Sequence, residues 1–309
     1  MEENRDRVIG ELRQLEAFAN IPEAEIRVTR MGGLTNLVYR ADAPGESVVV
    51  RIPGEGTEEY IDRKVEAHNA EAAWRAGISP KVLMVTPDSG VMITETIPNV
   101  TTMTPAGFAE IPGAAERAGK AMAQLHGSGQ RFDFHFELFA MIEDYLGVLG
   151  KRDTTLPEGY HETVKAAEPV KAALAAHPVH LAPCHCDPLS ENFLDDGAKM
   201  WMVDWEYSGM NDPLWDVGDL AVEAELSPEG EAELLQGYFG RDATDFEMGR
   251  FVIYKAMCDL LWTLWGLIQH SDGNTAEDFW AYSTGRFDRC RALINSREFS
   301  THVANVAKG

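Results

Sequence analysis

The chain has 309 residues, 45% of them hydrophobic and 25% charged, enough to bury one large or two modest cores. Its 50 acidic and 27 basic residues give a formal net charge of −23, which argues against nucleic acid or an anionic membrane as partner and would attract a cationic substrate. The four cysteines, Cys184, Cys186, Cys258 and Cys290, suggest no disulfide framework, and Cys184-His185-Cys186 has no second ligand pair at zinc-site spacing.

The N-terminal stretch is charged and lacks the apolar segment of a signal peptide. No apolar run approaches the roughly 20 residues of a membrane span, so a cytoplasmic protein is expected.

Helical spacing over 4–18 places Val8, Leu12, Leu15 and Phe18 on one face. Strands follow at 25–31, 35–41 and 48–52, with Gly32-Gly33 between the first two. Such a hairpin lets backbone amides approach anionic oxygens. Arg51 lies on the third strand and Glu66 in a helix over 58–76, and the two would form an ion pair that orients phosphates. Two strands, 82–85 and 91–94, flank the turn Pro87-Asp88-Ser89-Gly90. The segment 95–98 then enters a different composition and reads as a hinge, whose backbone groups at Glu95 and Ile97 would hold adenine.

Beyond the hinge the pattern is mostly helical, with helices at 114–126, 136–149, 160–176, 215–223, 228–239, 246–270 and 276–295. Gly113 to Lys120 superficially suggests a phosphate-binding loop. Five residues separate its glycines, and Ala121 stands where Ser or Thr is needed, so that motif is rejected. Residues 185–192 read His-Cys-Asp-Pro-Leu-Ser-Glu-Asn, and Asp204-Trp205-Glu206-Tyr207 follows a short apolar strand. Asp187 and Asn192 bracket four residues ahead of Asp204, the D-x-x-x-x-N catalytic-loop pattern followed by a metal-binding Asp. Trp262, Trp265 and Gln269 share one helix face at spacings of three and four.

Five segments carry a resemblance to the choline/ethanolamine kinases, in the aminoglycoside-phosphotransferase-like branch of the protein-kinase fold. They are 32–36, Arg63 to Glu66, His185 to Asn192, Asp204 to Tyr207 with Asn211 to Asp216, and Trp262 to Trp265 with Gln269 and Tyr282. The resemblance implies an α+β, two-lobe, protein-kinase-like fold. A small lobe over 1–97 would hold an antiparallel sheet and a helix, and a mostly helical lobe would span 98–309.

The resemblance also implies ATP and Mg2+, and a role for each matching residue. Asp187 would be the catalytic base, with His185 and Asp216 bracing its loop. Asn192 and Asp204 would bind magnesium. Gly33, Leu34, Thr35 and Asn36 would cover the phosphates, Arg51 would contact them, and Glu66 would hold Arg51. Tyr207, Glu223, Trp262, Trp265 and Tyr282 would surround a trimethylammonium head. That assignment has a physical basis, because a quaternary ammonium offers no hydrogen-bond donor and is best held by aromatic faces with a carboxylate as counter-charge.

Three departures from the family pattern stand out: Cys186 where Asn is common, Leu189 where a polar residue is common, and Arg51 where Lys is common in the wider superfamily. None removes a catalytic group. The leading expectation is an ATP-dependent choline kinase that makes phosphocholine from this small-molecule substrate. Ethanolamine or another amino alcohol, an aminoglycoside, and a non-catalytic nucleotide-binding pseudokinase are the alternatives.

Overall fold

The structure, a computed structural model, describes residues 2–32, 36–54, 61–86, 89–152 and 154–309. Gly33, Leu34 and Thr35, the expected phosphate cover, lie outside the described residues, as do the first residues of the helix expected at 58–76 and Pro87-Asp88 of the expected turn.

Helix α1 (Glu2–Leu12) precedes a five-stranded antiparallel sheet of β1 (Arg27–Arg30), β2 (Leu37–Ala43), β3 (Glu46–Ile52), β4 (Val82–Thr86) and β5 (Val91–Glu95), in the order β1-β2-β3-β5-β4. Val48, Val50 and Ile52 point from β3 into a small core with Val8, Leu12, Phe18 and Ile93. The period of two turns Arg51 to the other face, toward α2 (Arg63–Arg75). Asp62 caps α2 by accepting the N–H of Lys64 at 2.9 Å.

The first helix is shorter than its spacing predicts. Arg13 Nη1 donates to the carbonyls of Phe18 and Ile21, both at 2.7 Å, which folds the chain back after Leu12.

The rest of the chain, joined by Ala70, Ala72 and Ala73 of α2, by Ile78 and by Met92 of β5, forms a larger core. β6 (Thr101–Thr102), β8 (Phe193–Asp195) and β9 (Met200–Met202) make a three-stranded sheet, and β7 (Ala182–Cys184) pairs with β10 (Gly209–Asn211). Around them pack α3 (Pro105–Glu110), α4 (Ala114–His126), α5 (Leu138–Lys151), α6 (Tyr160–Ala166), α7 (Glu168–Ala176), α8 (Pro213–Glu223), α9 (Pro228–Phe239), α10 (Asp245–Ser271), α11 (Phe279–Ile294) and α12 (Phe299–Lys308). The single helix expected over 160–176 is two. Pro169 opens α7, and a proline there cannot continue an upstream helix, because it lacks an N–H and its ring clashes with the carbonyl four residues back.

Gly119, part of the rejected phosphate-loop match, serves packing instead. A Cβ there would lie 2.2 Å from the Leu234 carbonyl, and one at Gly237 would lie 2.1 Å from the Glu116 carbonyl, so this glycine pair lets α4 and α9 touch backbone to backbone.

Helix α10 organises the large lobe, contacting α5, α8, α11 and α12. Thr244 and Glu247 form a capping box at its start. Contrary to expectation, α10 is long and apolar enough to cross a membrane by length and composition, but 83% of its apolar window is buried inside the protein. The mostly buried core helix of a globular fold has the same composition.

Candidate active site

The loop 185–192, the expected catalytic loop, leaves β7, passes through a short 3-10 turn at Ser190–Asn192 and enters β8. Asp216, in the first turn of α8, holds it from below. One Asp216 oxygen accepts the N–H of His185 at 2.7 Å and the other accepts the N–H of Cys186 at 2.8 Å. Trp215 Nε1 donates to the Cys186 carbonyl at 3.0 Å. Cys186 has φ +66°, a left-handed conformation that asparagine enters far more readily than most residues, which accounts physically for the Asn common at this place in the resemblance.

The His185 ring lies 4.7 Å from that of Trp205, and its Nε2 meets the Val203 carbonyl at 2.8 Å. Burial pushes the His185 pKa down, so the ring is a neutral brace between the loop and the segment leading to Asp204. Asn192 Nδ2 donates to the Asp187 carbonyl at 3.0 Å. Burial, Glu223 and Asp204 together push the Asp187 carboxyl well above the usual carboxylate range.

Asp204 has φ +69° and faces the small lobe. Its oxygens accept from Asn36 Nδ2 at 3.3 Å and from Arg51 Nη1 at 3.1 Å. Arg51 also pairs with Glu66 and reaches Glu206 at 3.3 Å. Arg63 bridges Glu66, at 2.9 Å, and Glu206. Burial and Glu206 push Asp204 up to about 7, against the opposing pull of Arg51.

The donors fit a hard divalent cation. Asp204 supplies carboxylate oxygens and Asn192 an amide oxygen, the ligand chemistry magnesium takes alongside phosphates and water. The Asn192 Nδ2 donation to Asp187 leaves the amide oxygen as the atom offered. Asn36 Oδ1, and Arg51 Nε and Nη2, are buried without hydrogen-bond partners, so polar valences remain around Asp204. His126, Cys184 and Asp216 also come within metal-ligating distance of one another. Asp216 already serves two backbone amides there, and burial pushes the Cys184 thiol up, away from the thiolate a metal would need.

The aromatic residues gather beside α8. The Tyr207 and Trp262 rings meet edge to face at 5.5 Å, and those of Trp265 and Tyr282 at 5.8 Å. Trp265 Nε1 donates to the Tyr207 hydroxyl at 3.0 Å. Tyr207, Trp265 and Tyr282 are half-buried, whereas Trp262 is only 3% exposed and belongs largely to the core. Trp262 Nε1 donates to Asp219 Oδ2 at 3.1 Å.

Glu223, the expected counter-charge, is already engaged within the protein. It is ion-paired with Arg286, whose guanidinium lies 4.6 Å over the Tyr282 ring and also meets Asp259 at 3.1 Å. At the expected hinge, the Glu95 N–H donates to the Lys81 carbonyl at 2.9 Å, so this amide is engaged within the fold. Ile97 follows just past the end of β5, half-buried.

Residues 28–252 match the phosphotransferase enzyme family known as APH. A crystal structure of a choline/ethanolamine kinase family protein from Mesorhizobium loti is 53% identical, covers 98% of this chain and 99% of that one, and superposes with a TM-score of 0.90. The chain belongs to the choline/ethanolamine kinase family. It is a nucleotide-binding phosphotransferase with an alcohol acceptor. Among its relatives, choline kinase LicA from Streptococcus pneumoniae is 25% identical with a TM-score of 0.79, over 94% of this chain and 99% of that one. LicA has also been solved in complex with AMP, at 25% identity and a TM-score of 0.72, over 90% of this chain and 92% of that one. Ethanolamine kinase 2 of Mus musculus is 25% identical, over 86% of this chain and 75% of that one.

Four residues of this candidate site were given no role by the sequence reading. Arg63 and Glu206 sit within three residues of Glu66 and Asp204, and only the fold shows that they close one network around Arg51. Arg286 follows Tyr282 by one helical turn, a spacing that would have signalled proximity. Asp219 precedes Glu223 by one turn of α8, but nothing in the sequence links it to Trp262.

Proposed function

We propose that this chain is an ATP-dependent choline kinase that transfers the γ-phosphate to the choline hydroxyl, giving phosphocholine and ADP. The observation that carries the reading is the half-buried aromatic group of Tyr207, Trp265 and Tyr282, next to the carboxylates of Glu223, Asp187 and Asp219, whose charges act on Tyr282. A quaternary ammonium fits faces that offer π density, at roughly 0.5–2 kcal/mol each. A primary ammonium carries three donors and requires acceptors, so ethanolamine is the second reading, favoured to the extent that carboxylate oxygens are reachable.

In this reading Asp187 orients the choline hydroxyl and accepts its proton, a role suited to a carboxyl with raised proton affinity. Asp216 and His185 keep the loop in place. Asn192 and Asp204 would hold Mg2+, which when bound would supply positive charge against the phosphates. Arg51, steadied by Glu66, directs its unpaired nitrogens to phosphate oxygens. Asn36, with Gly33, Leu34 and Thr35, covers the phosphates, and Glu95 and Ile97 border adenine.

We draw the lobe boundary between residues 97 and 98, because β5 ends at Glu95 while β6 already pairs with β8. A protein using ATP and a small cationic alcohol belongs in the cytoplasm. The test is product analysis with ATP, Mg2+ and choline. Phosphocholine should form with the wild type and fall by about 10²-fold or more in Asp187→Ala, with nucleotide binding retained. Near wild-type turnover in that variant would sink the base assignment.

A further inference from the structure

The Glu223–Arg286 pair raises a question about charge. If Glu223 is neutralised within the protein, another group must balance a cationic substrate. The cluster beneath the aromatic wall joins Asp187, Asp219, Glu223 and Asp259 to Arg286 and Arg289. With all ionised, four carboxylates face two guanidinium groups, leaving two uncompensated negative charges. Asp187 is one, committed to the hydroxyl. The other falls to Asp219, since Asp259 is held by Arg286 and by Arg289 at 2.7 Å.

Asp219 is 0% exposed. Its Oδ2 accepts from the Trp262 indole at 3.1 Å, and its Oδ1 is buried without a hydrogen-bond partner. Trp262 in turn meets Tyr207 edge to face, and Tyr207 accepts from Trp265 Nε1. The carboxylate thus stands behind the aromatic wall rather than in it. Burial and the neighbouring Glu223 push its proton affinity well up, with Arg286 and the indole donation only partly opposing this. A cation arriving nearby shifts the group toward the ionised form.

We propose that Asp219 is a specificity-determining positioning residue, supplying through Trp262 the counter-charge for a quaternary ammonium without offering it an acceptor oxygen. The arrangement suits a head group that has charge but no donors. A carboxylate in direct contact would favour a primary ammonium instead. Donation from the indole to a carboxylate also orients the ring and adds electron density to its π system, which strengthens attraction to a cation nearby.

The inference rests on the choline reading, and its test separates the two. The experiment compares kcat/KM for choline and for its uncharged isostere 3,3-dimethylbutan-1-ol, in the wild type and in Asp219→Asn. The amide is isosteric and still accepts from Trp262. Asp219→Ser provides a second neutral variant, read by the same ratio, should the amide fail to fold. The choline-to-isostere preference is expected to fall roughly three- to tenfold in the neutral variant and to recover in Asp219→Glu, with the KM for ATP little changed. Equal losses for both alcohols would assign Asp219 a purely structural role and overturn the inference, as would an unchanged ratio. A wild type that prefers choline no more than the isostere would overturn both the inference and the choline reading.

Discussion

Asp216 and His185 are joined by a 2.7 Å hydrogen bond from the His185 backbone amide to the Asp216 carboxylate. Its other oxygen takes the Cys186 amide, so one side chain on α8 fixes the backbone just ahead of Asp187. Asp216→Ala should leave two buried amides without acceptors, at about 1–3 kcal/mol each. It should also let Asp187 drift, for which a fall in kcat on the order of 10²-fold is expected. In the proposed reading Asp216 touches none of the nucleotide-binding groups, so nucleotide affinity should stay within about twofold. Steady-state kinetics with a nucleotide titration checks this, and an unchanged kcat would remove the bracing role.

The two tryptophans of α10 should behave differently. Trp262 is buried in the core, so Trp262→Ala should lower unfolding stability by about 3–5 kcal/mol. Trp265 is half-buried beside Tyr207 and Tyr282, so Trp265→Ala should raise the choline KM roughly tenfold and leave the ATP KM unaltered. Denaturant melts and substrate-resolved KM values separate the two effects. Parallel changes in both KM values would return Trp265 to a structural role.

Glu247 links pH to the stability of α10. Hydrogen bonds from Arg241, with those of the Thr244 cap, hold its carboxyl down to about 2, below its ordinary 4.5, despite an opposing effect of burial. A depressed carboxylate contributes stability that is fully present above about pH 4.5 and lost as pH falls toward about 2. Glu247→Gln should therefore cost about 1 kcal/mol at neutral pH, and the gap between variant and wild type should close in acid. Thermal melts across pH 2 to 7 read it, and a gap independent of pH would mean that packing, not charge, is what the variant loses.

Much of this was legible in the sequence because the groups concerned are close along the chain. Asp187, Asn192 and Asp204 lie on one loop and hairpin whose spacing the chemistry fixes, and helices α4 and α9 were bounded by their own periodicity and turn residues. What was not legible depends on distant partners. Glu223 reads as a counter-charge until the fold brings Arg286 to it from 63 residues away. Arg63 and Glu206, 143 residues apart, lie in segments that carry the resemblance but have no visible role until the fold brings them together beside Arg51. The tryptophan stripe hid a division of labour, because helical spacing places Trp262 and Trp265 on one side but cannot say which is covered by α8.

The most direct measurement is kcat/KM by ADP release, across choline, ethanolamine and an aminoglycoside under identical ATP and Mg2+. The account predicts turnover of choline with a preference over ethanolamine of at least about tenfold, and no comparable turnover of the aminoglycoside. Preference for ethanolamine or the aminoglycoside, or no turnover of any alcohol while nucleotide still binds, would contradict it.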